Sequence, residues 1–256
     1  MDRNIETKEY RFNEQRHLHQ LLVDGEWKNL TGCTTVLSVL AKPALIQWSA
    51  NMAVEYIKNT LPNTDPTIHT GDITIHRSDF EKILEEAKTA HRKKKEKAGD
   101  LGTQIHAEVE SIIKQAIQAT DGLVAPQEGS PQINHFVKWA IDNKVKFLET
   151  EKCVYSKSLF LGGIVDIICE IDGQLWIADI KTGSGIYPEM FAQCSGYNLM
   201  LDEMGYPQIA GHIILNLKKT GEFDEKRSIS TEDSKKLFLA CLDIYRLQEK
   251  FNNQII

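Results

Sequence analysis

From residue 149 onward the chain alternates strand-length apolar runs with turn residues. Runs near 149–156, 163–171, 174–181, 208–217 and 222–229 predict strands. Longer stretches with helical spacing, near 187–204 and 231–252, predict helices between and after them. Upstream the texture is mainly helical. Pro43 suits the first turn of a helix through about Leu61. Ser78 with Glu81 forms a capping-box signal for a helix to about Lys97, which Gly99-Asp100 then breaks. Further helices are expected at 34–40, 101–118 and 132–147, with loops at 62–77 and 119–131 where Pro and Gly collect. Near the N-terminus, Asp24-Gly25 between alternating runs predicts a hairpin.

The expected fold class is therefore α+β (α/β), a central mixed sheet flanked by helices, with an N-terminal helical elaboration. The division expected is 1–98, a hairpin and helices ending in a basic helix, and 99–256, the core, both in one compact unit.

Composition narrows the function classes. With 41% hydrophobic and 26% charged residues, the 256-residue chain is globular rather than disordered. A formal charge of -6 means that any nucleic-acid surface must be local. Lys88, Arg92, Lys93, Lys94, Lys95 and Lys97 supply one such run, which reads either as a solvated helical face or as a track for phosphates. Trp48 and Tyr56 suit base stacking or the apolar face of a helix equally. Five scattered cysteines without a CxxC argue against a zinc site, a disulfide framework or an iron–sulfur cluster. No apolar run reaches the roughly 18 residues of a membrane span, and the N-terminus lacks a signal core. The expected compartment is cytoplasmic.

The chemistry concentrates in 162–181. Asp172-Gly173 is a two-residue turn signal. It sets Ile171 opposite Gln174, so that paired residue numbers sum to 345 and Asp166 faces Asp179, with Lys181 opposite Ile164 on the same face. The surrounding positions are apolar on both faces: Val165, Ile167, Trp176, Ala178 and Ile180 on one, Ile164, Ile168, Leu175 and Ile177 on the other. Like charges opposed in a buried sheet need compensation. A divalent cation with oxygen ligands provides it, and the lysine can orient a bound water or stabilise charge on a phosphate. The plainer alternative is a sheet-end Asp179–Lys181 cluster, with Asp166 paired to a base elsewhere.

Asp166 followed by Asp179-Ile180-Lys181 resembles the signature of the PD-(D/E)XK nucleases, the RecB-like exonuclease branch in particular. Gly102-Thr103-Gln104-Ile105-His106 is similar to that branch's GxxxH helix. Gly162-Gly163-Ile164-Val165-Asp166 is similar to its glycine-led aspartate strand, and Gln193-Cys194-Ser195-Gly196-Tyr197 to its QxxxY helix. The four follow in order over about 96 residues. The run 34–48 also resembles phage-type and mitochondrial genome-maintenance members. The resemblance implies hydrolysis of DNA phosphodiesters with Mg²⁺ or Mn²⁺. His106, Asp166, Asp179 and the Ile180 carbonyl would be metal ligands. Lys181 would serve the attacking water, and Gln193 and Tyr197 would position the lysine and the DNA. Glu110 and Glu151 stand as secondary acids. DNA, as single strands or duplex ends, is the implied partner, with no membrane; a homo-oligomer or a recombination-protein partner is compatible. A structure-specific endonuclease and a non-catalytic DNA-binding module remain the alternatives.

Overall fold

The computed structural model describes residues 4–61, 75–119 and 129–254. Four short strands, β1 (Ile5–Glu6), β2 (Tyr10–Asn13), β3 (Leu18–Val23) and β4 (Glu26–Asn29), form an antiparallel sheet in chain order. Next come β5 (Thr31–Gly32), α1 (Cys33–Val36) with a 3₁₀ turn after it, α2 (Pro43–Thr60), α3 (Arg77–Gln118) and α4 (Pro131–Asp142). Then follow β6 (Lys146–Ser156), β7 (Leu161–Ile171), β8 (Gln174–Lys181), α5 (Pro188–Glu203), β9 (Ile209–Leu217), β10 (Phe223–Ser228) and α6 (Glu232–Asn252). The second sheet runs β10-β9-β8-β7-β5, with β6 also on β7; β8–β9 and β5–β7 are parallel and the other pairs antiparallel. This is a mixed sheet flanked by helices. No helix among the described residues is long and apolar enough to cross a membrane.

The chain divides elsewhere than at 98/99. One compact unit is Met1–Leu40 with Gln104–Ile256, and the other is Ala41–Thr103. The N-terminal segment is a sheet that belongs to the larger unit. Its seating depends on Gly162 of β7, where any Cβ would lie 2.5 Å from the Cβ of His19. Tyr10, Phe12, Leu21 and Leu30 fill the space between, with Cys153 of β6.

Within the larger unit the mixed sheet has a core on each face. Ile105, Val109 and Ile113 of α3 and Phe136 of α4 cover Ile167, Ala178 and Ile213. On the other face Tyr197 and Met200 of α5 and Phe238 of α6 cover Ile168, Ile177 and Ile214. In the smaller unit α2 packs on the first half of α3, with Tyr56 bonded to Glu86 and Trp48 edge-on to His91.

Two local expectations fail for physical reasons. Gly99 does not break the helix, because α3 runs unbroken through it; one glycine costs about 1 kcal/mol in a helix, which the Ala-, Glu- and Lys-rich flanks offset. The helix starts at Arg77, so Ser78 lies inside the first turn rather than at a cap. The helix expected at 132–147 stops at Asp142, where the Asn143 side chain donates to the Trp139 carbonyl at 2.8 Å. Lys144 then turns at φ 50° and frees Phe147 for the sheet. The loops expected at 62–77 and 119–131 fall mostly outside the described residues.

Candidate metal centre and its lysine

The 171–174 turn has the predicted type. Asp172 and Gly173 sit at φ 50° and 73°, and five pairs, from Ile171↔Gln174 to Ile167↔Ala178, keep the expected register. The ladder then stops. Beyond Ile167 the β7 edge parts from β8, and β5 takes that edge at Leu161 and Gly162. The expected Asp166–Asp179 and Ile164–Lys181 pairs therefore lie past its end. Instead, the Asp166 carboxylate reaches into the parting and accepts the Ile180 N–H at 2.8 Å.

On its other edge β7 meets a kink. The β6–β7 ladder pairs Thr150 with Ile167 and Lys152 with Val165, but skips Glu151 and Asp166. Glu151 lies at φ 50°, a left-handed conformation that costs a non-glycine residue energy. The Thr150 hydroxyl donates to the Asp166 carbonyl at 2.9 Å across the skipped pair. The kink also moves Val165 to the α5 side, with Ile168 and Ile177, whereas alternation alone put it with Ile167. Ile164 faces the N-terminal sheet.

These distortions gather His106 of α3 with Glu151 and Asp166. One ligand atom from each lies within 4.8 Å of the others, an arrangement able to hold a metal ion. The His106 Nδ1 is 3.8 Å from Asp166 Oδ2, and the same ring bonds the Ile180 backbone. Asp179 does not join this trio; its buried carboxylate is ion-paired with Lys181. The Lys181 ammonium also donates to Gln193 Oε1 at 3.3 Å, and the Gln193 Nε2 donates to the Tyr197 hydroxyl at 2.7 Å. Residues 193 and 197 share one face of α5, four positions apart. Gly163 makes room for them: a Cβ there would come within 2.7 Å of the Tyr197 ring.

Electrostatics sharpens the picture. Burial, and then the charge of Asp179, push Asp166 well above the usual carboxylate range. Burial lowers His106 against the pull of Asp179, leaving the neutral imidazole that metals require. Burial works against the charge of Lys181, yet Asp179 and Asp166 outweigh it and hold the ammonium above its ordinary value. Asp166 and Asp179 thus both act on the Lys181 ammonium, and the charge of Glu151 adds to the upward push on Asp166. The donor set of the trio, one imidazole nitrogen with carboxylate oxygens, could hold a metal ion.

The remaining expected residues are not among the three that converge. Glu110 is buried on α3 and ion-paired with Lys114. Lys88, Arg92, Lys93, Lys94 and Lys95 are exposed on α3 in the smaller unit, with Lys88 paired to Glu85 and Lys94 3.7 Å from Glu55. The side chain of Lys97 lies outside the described residues. Among the buried polar residues that escaped sequence reasoning are His212 and Asn216, on β9. Their one sequence signal is polarity within the apolar run Gly-His-Ile-Ile-Leu-Asn-Leu.

No family model matches the chain, and no curated protein matches it. Among solved structures it is similar to SSO0001, at 13% identity over 75% of this chain and 86% of that one, with a TM-score of 0.33. A likeness at that level carries no argument here.

Proposed function

We propose that this chain is a divalent-metal-dependent deoxyribonuclease with a PD-(D/E)XK core of the RecB-like exonuclease branch. It acts on DNA ends, single strands foremost, in recombination, repair or replication of a phage-like kind. The observation that carries this reading is the convergence of His106, Glu151 and Asp166 where β7 parts from β8, with the Lys181–Gln193–Tyr197 chain beside it.

His106, Glu151 and Asp166 would hold the ion. When bound, a divalent cation supplies Lewis-acid polarisation of a phosphate and acidifies a bound water. The chain's own groups do the rest. The Ile180 N–H fixes one oxygen of Asp166 and so sets the carboxylate's direction. Lys181, kept charged by its carboxylates, is a fixed positive charge for the negative charge that grows on a phosphate during hydrolysis. Gln193 restrains the ammonium, and the buried Tyr197 restrains Gln193. The exposed run at Lys88, Arg92, Lys93, Lys94 and Lys95 supplies a sequence-independent hold on phosphates.

The test uses end-labelled linear single strands and covalently closed circles, with Mg²⁺, Mn²⁺ or EDTA. Metal-dependent shortening of the linear strand, abolished by Asp166→Ala, is the expected result. Cutting of the circle would make the enzyme an endonuclease. DNA binding without cleavage under every metal would leave a non-catalytic binding module.

A further inference from the structure

β9 brings a wholly buried amide to the lysine. Alternation sends Ile213, Leu215 and Leu217 to the core under α3 and α4, and Ile214 to the core under α5. Asn216 follows Ile214. In the parallel β8–β9 ladder Ile214 partners Asp179 and Asn216 partners Lys181. Neither Nδ2 nor Oδ1 of Asn216 has a hydrogen-bond partner among the described residues. Its other ladder neighbour, Asp224, is ion-paired with Lys218 at 2.9 Å. Buried amides without partners are destabilising, and each asks for an explanation.

Lys181 supplies one. An ammonium has three donors; Gln193 accepts from one, and Asp179 holds the ammonium as an ion pair. Under the proposed function, on which this inference rests, a divalent cation at His106, Glu151 and Asp166 draws on Asp179 as well. A dication attracted to that carboxylate repels the ammonium the carboxylate already holds. The displaced donor needs another acceptor on the same sheet face. Adjacent strands lie about 4.8 Å apart, so Asn216 Oδ1 is within a lysine's reach.

We propose that Asn216 is a positioning residue for Lys181: it accepts a hydrogen bond from the ammonium when Asp179 turns to the cation. Lys181 is then suspended between Gln193 and Asn216 and stays beside the site. The handover also reconciles the ligand set that the resemblance implies, which includes Asp179, with the trio His106, Glu151 and Asp166, which leaves it out.

The experiment is calorimetric titration of the purified full chain with Mn²⁺, alongside thermal melts. Asn216→Leu removes an unpartnered amide, so it should melt no lower than the wild type while binding Mn²⁺ about tenfold or more weakly, the worth of a hydrogen bond to a charged group. Asn216→Asp, which retains an acceptor, should stay within about threefold of the wild type. In a Lys181→Met background Asn216→Leu should add nothing, because the residue acts through the lysine. If the leucine variant does not fold, Asn216→Ser, too short to reach the ammonium, takes its place with the same expectation. Unchanged Mn²⁺ affinity in the Leu or Ser variant overturns the handover and leaves the cation site standing. An equal loss in the Lys181→Met background also overturns it. A wild type that binds no Mn²⁺ removes the proposed function, and the handover with it.

Discussion

Replacing His212 by Leu should change how stability depends on pH, in a calculable way. The His212 ring is wholly buried on β9, and neither nitrogen has a hydrogen-bond partner among the described residues. Burial pulls its pKa from 6.5 down to about 4. Between those values the unfolded chain holds a proton that the folded chain refuses, so stability falls as pH drops from 6.5 through 4. The displacement is about 2.5 pH units, and at about 1.36 kcal/mol per unit its full weight is about 3 kcal/mol. Most of that is felt by pH 4.5. Urea unfolding of both proteins from pH 7.5 to 4.5 gives the gap between them directly. His19, which burial also lowers to about 4, acts in both proteins and cancels from the difference. So do His106 and Asp166. The gap should widen in favour of Leu by about 2–3 kcal/mol as pH falls to 4.5. A gap that stays constant with pH would show that His212 is protonated or partnered in the folded chain, and would refute the reasoning.

Other predictions follow from the packing and the charges. Gly163→Ala drives a methyl to 2.7 Å from the Tyr197 ring; it should lower stability by about 1–3 kcal/mol and, by displacing Gln193, slow cleavage, as melts and end-labelled substrate would read. Lys181→Ala should abolish cleavage while leaving the fold intact, and retained turnover would dismiss the lysine from the chemistry. Lys93, Lys94 and Lys95 together changed to Ala should weaken DNA binding and flatten its salt dependence, by about three in the log–log slope at most; unchanged affinity would make the run a plain solvated face.

Local signals were legible where local physics decides. Asp172-Gly173 determined a turn, the turn a register, and the register held for five pairs. It did not hold at the site: the ladder with β8 ends at Ile167, and further along that edge β7 pairs with β5, more than a hundred residues upstream, which no local signal announces. The spacing of His106, Asp166 and Lys181 was readable as a motif, and Glu151 stood beside it as a secondary acid, but its convergence with His106 and Asp166 was not readable. That depends on a left-handed residue in mid-strand, which no periodicity announces. Gly99 misled because a breaker is a local cost, whereas the helix around it is a sum over many residues. Asn216 hid in an apolar run whose partner strand could be known only from the fold.

The left-handed backbone at Glu151 carries a consequence for anyone redesigning this protein. Judged on torsion angles alone, position 151 calls for glycine or asparagine, which adopt φ near 50° at little cost. A procedure that optimises sequence for backbone comfort would rewrite Glu151 first and report an improvement. What it would discard is one of the three converging donors. The most uncomfortable residue in the strand is thus the one a thermostabilising library should hold constant.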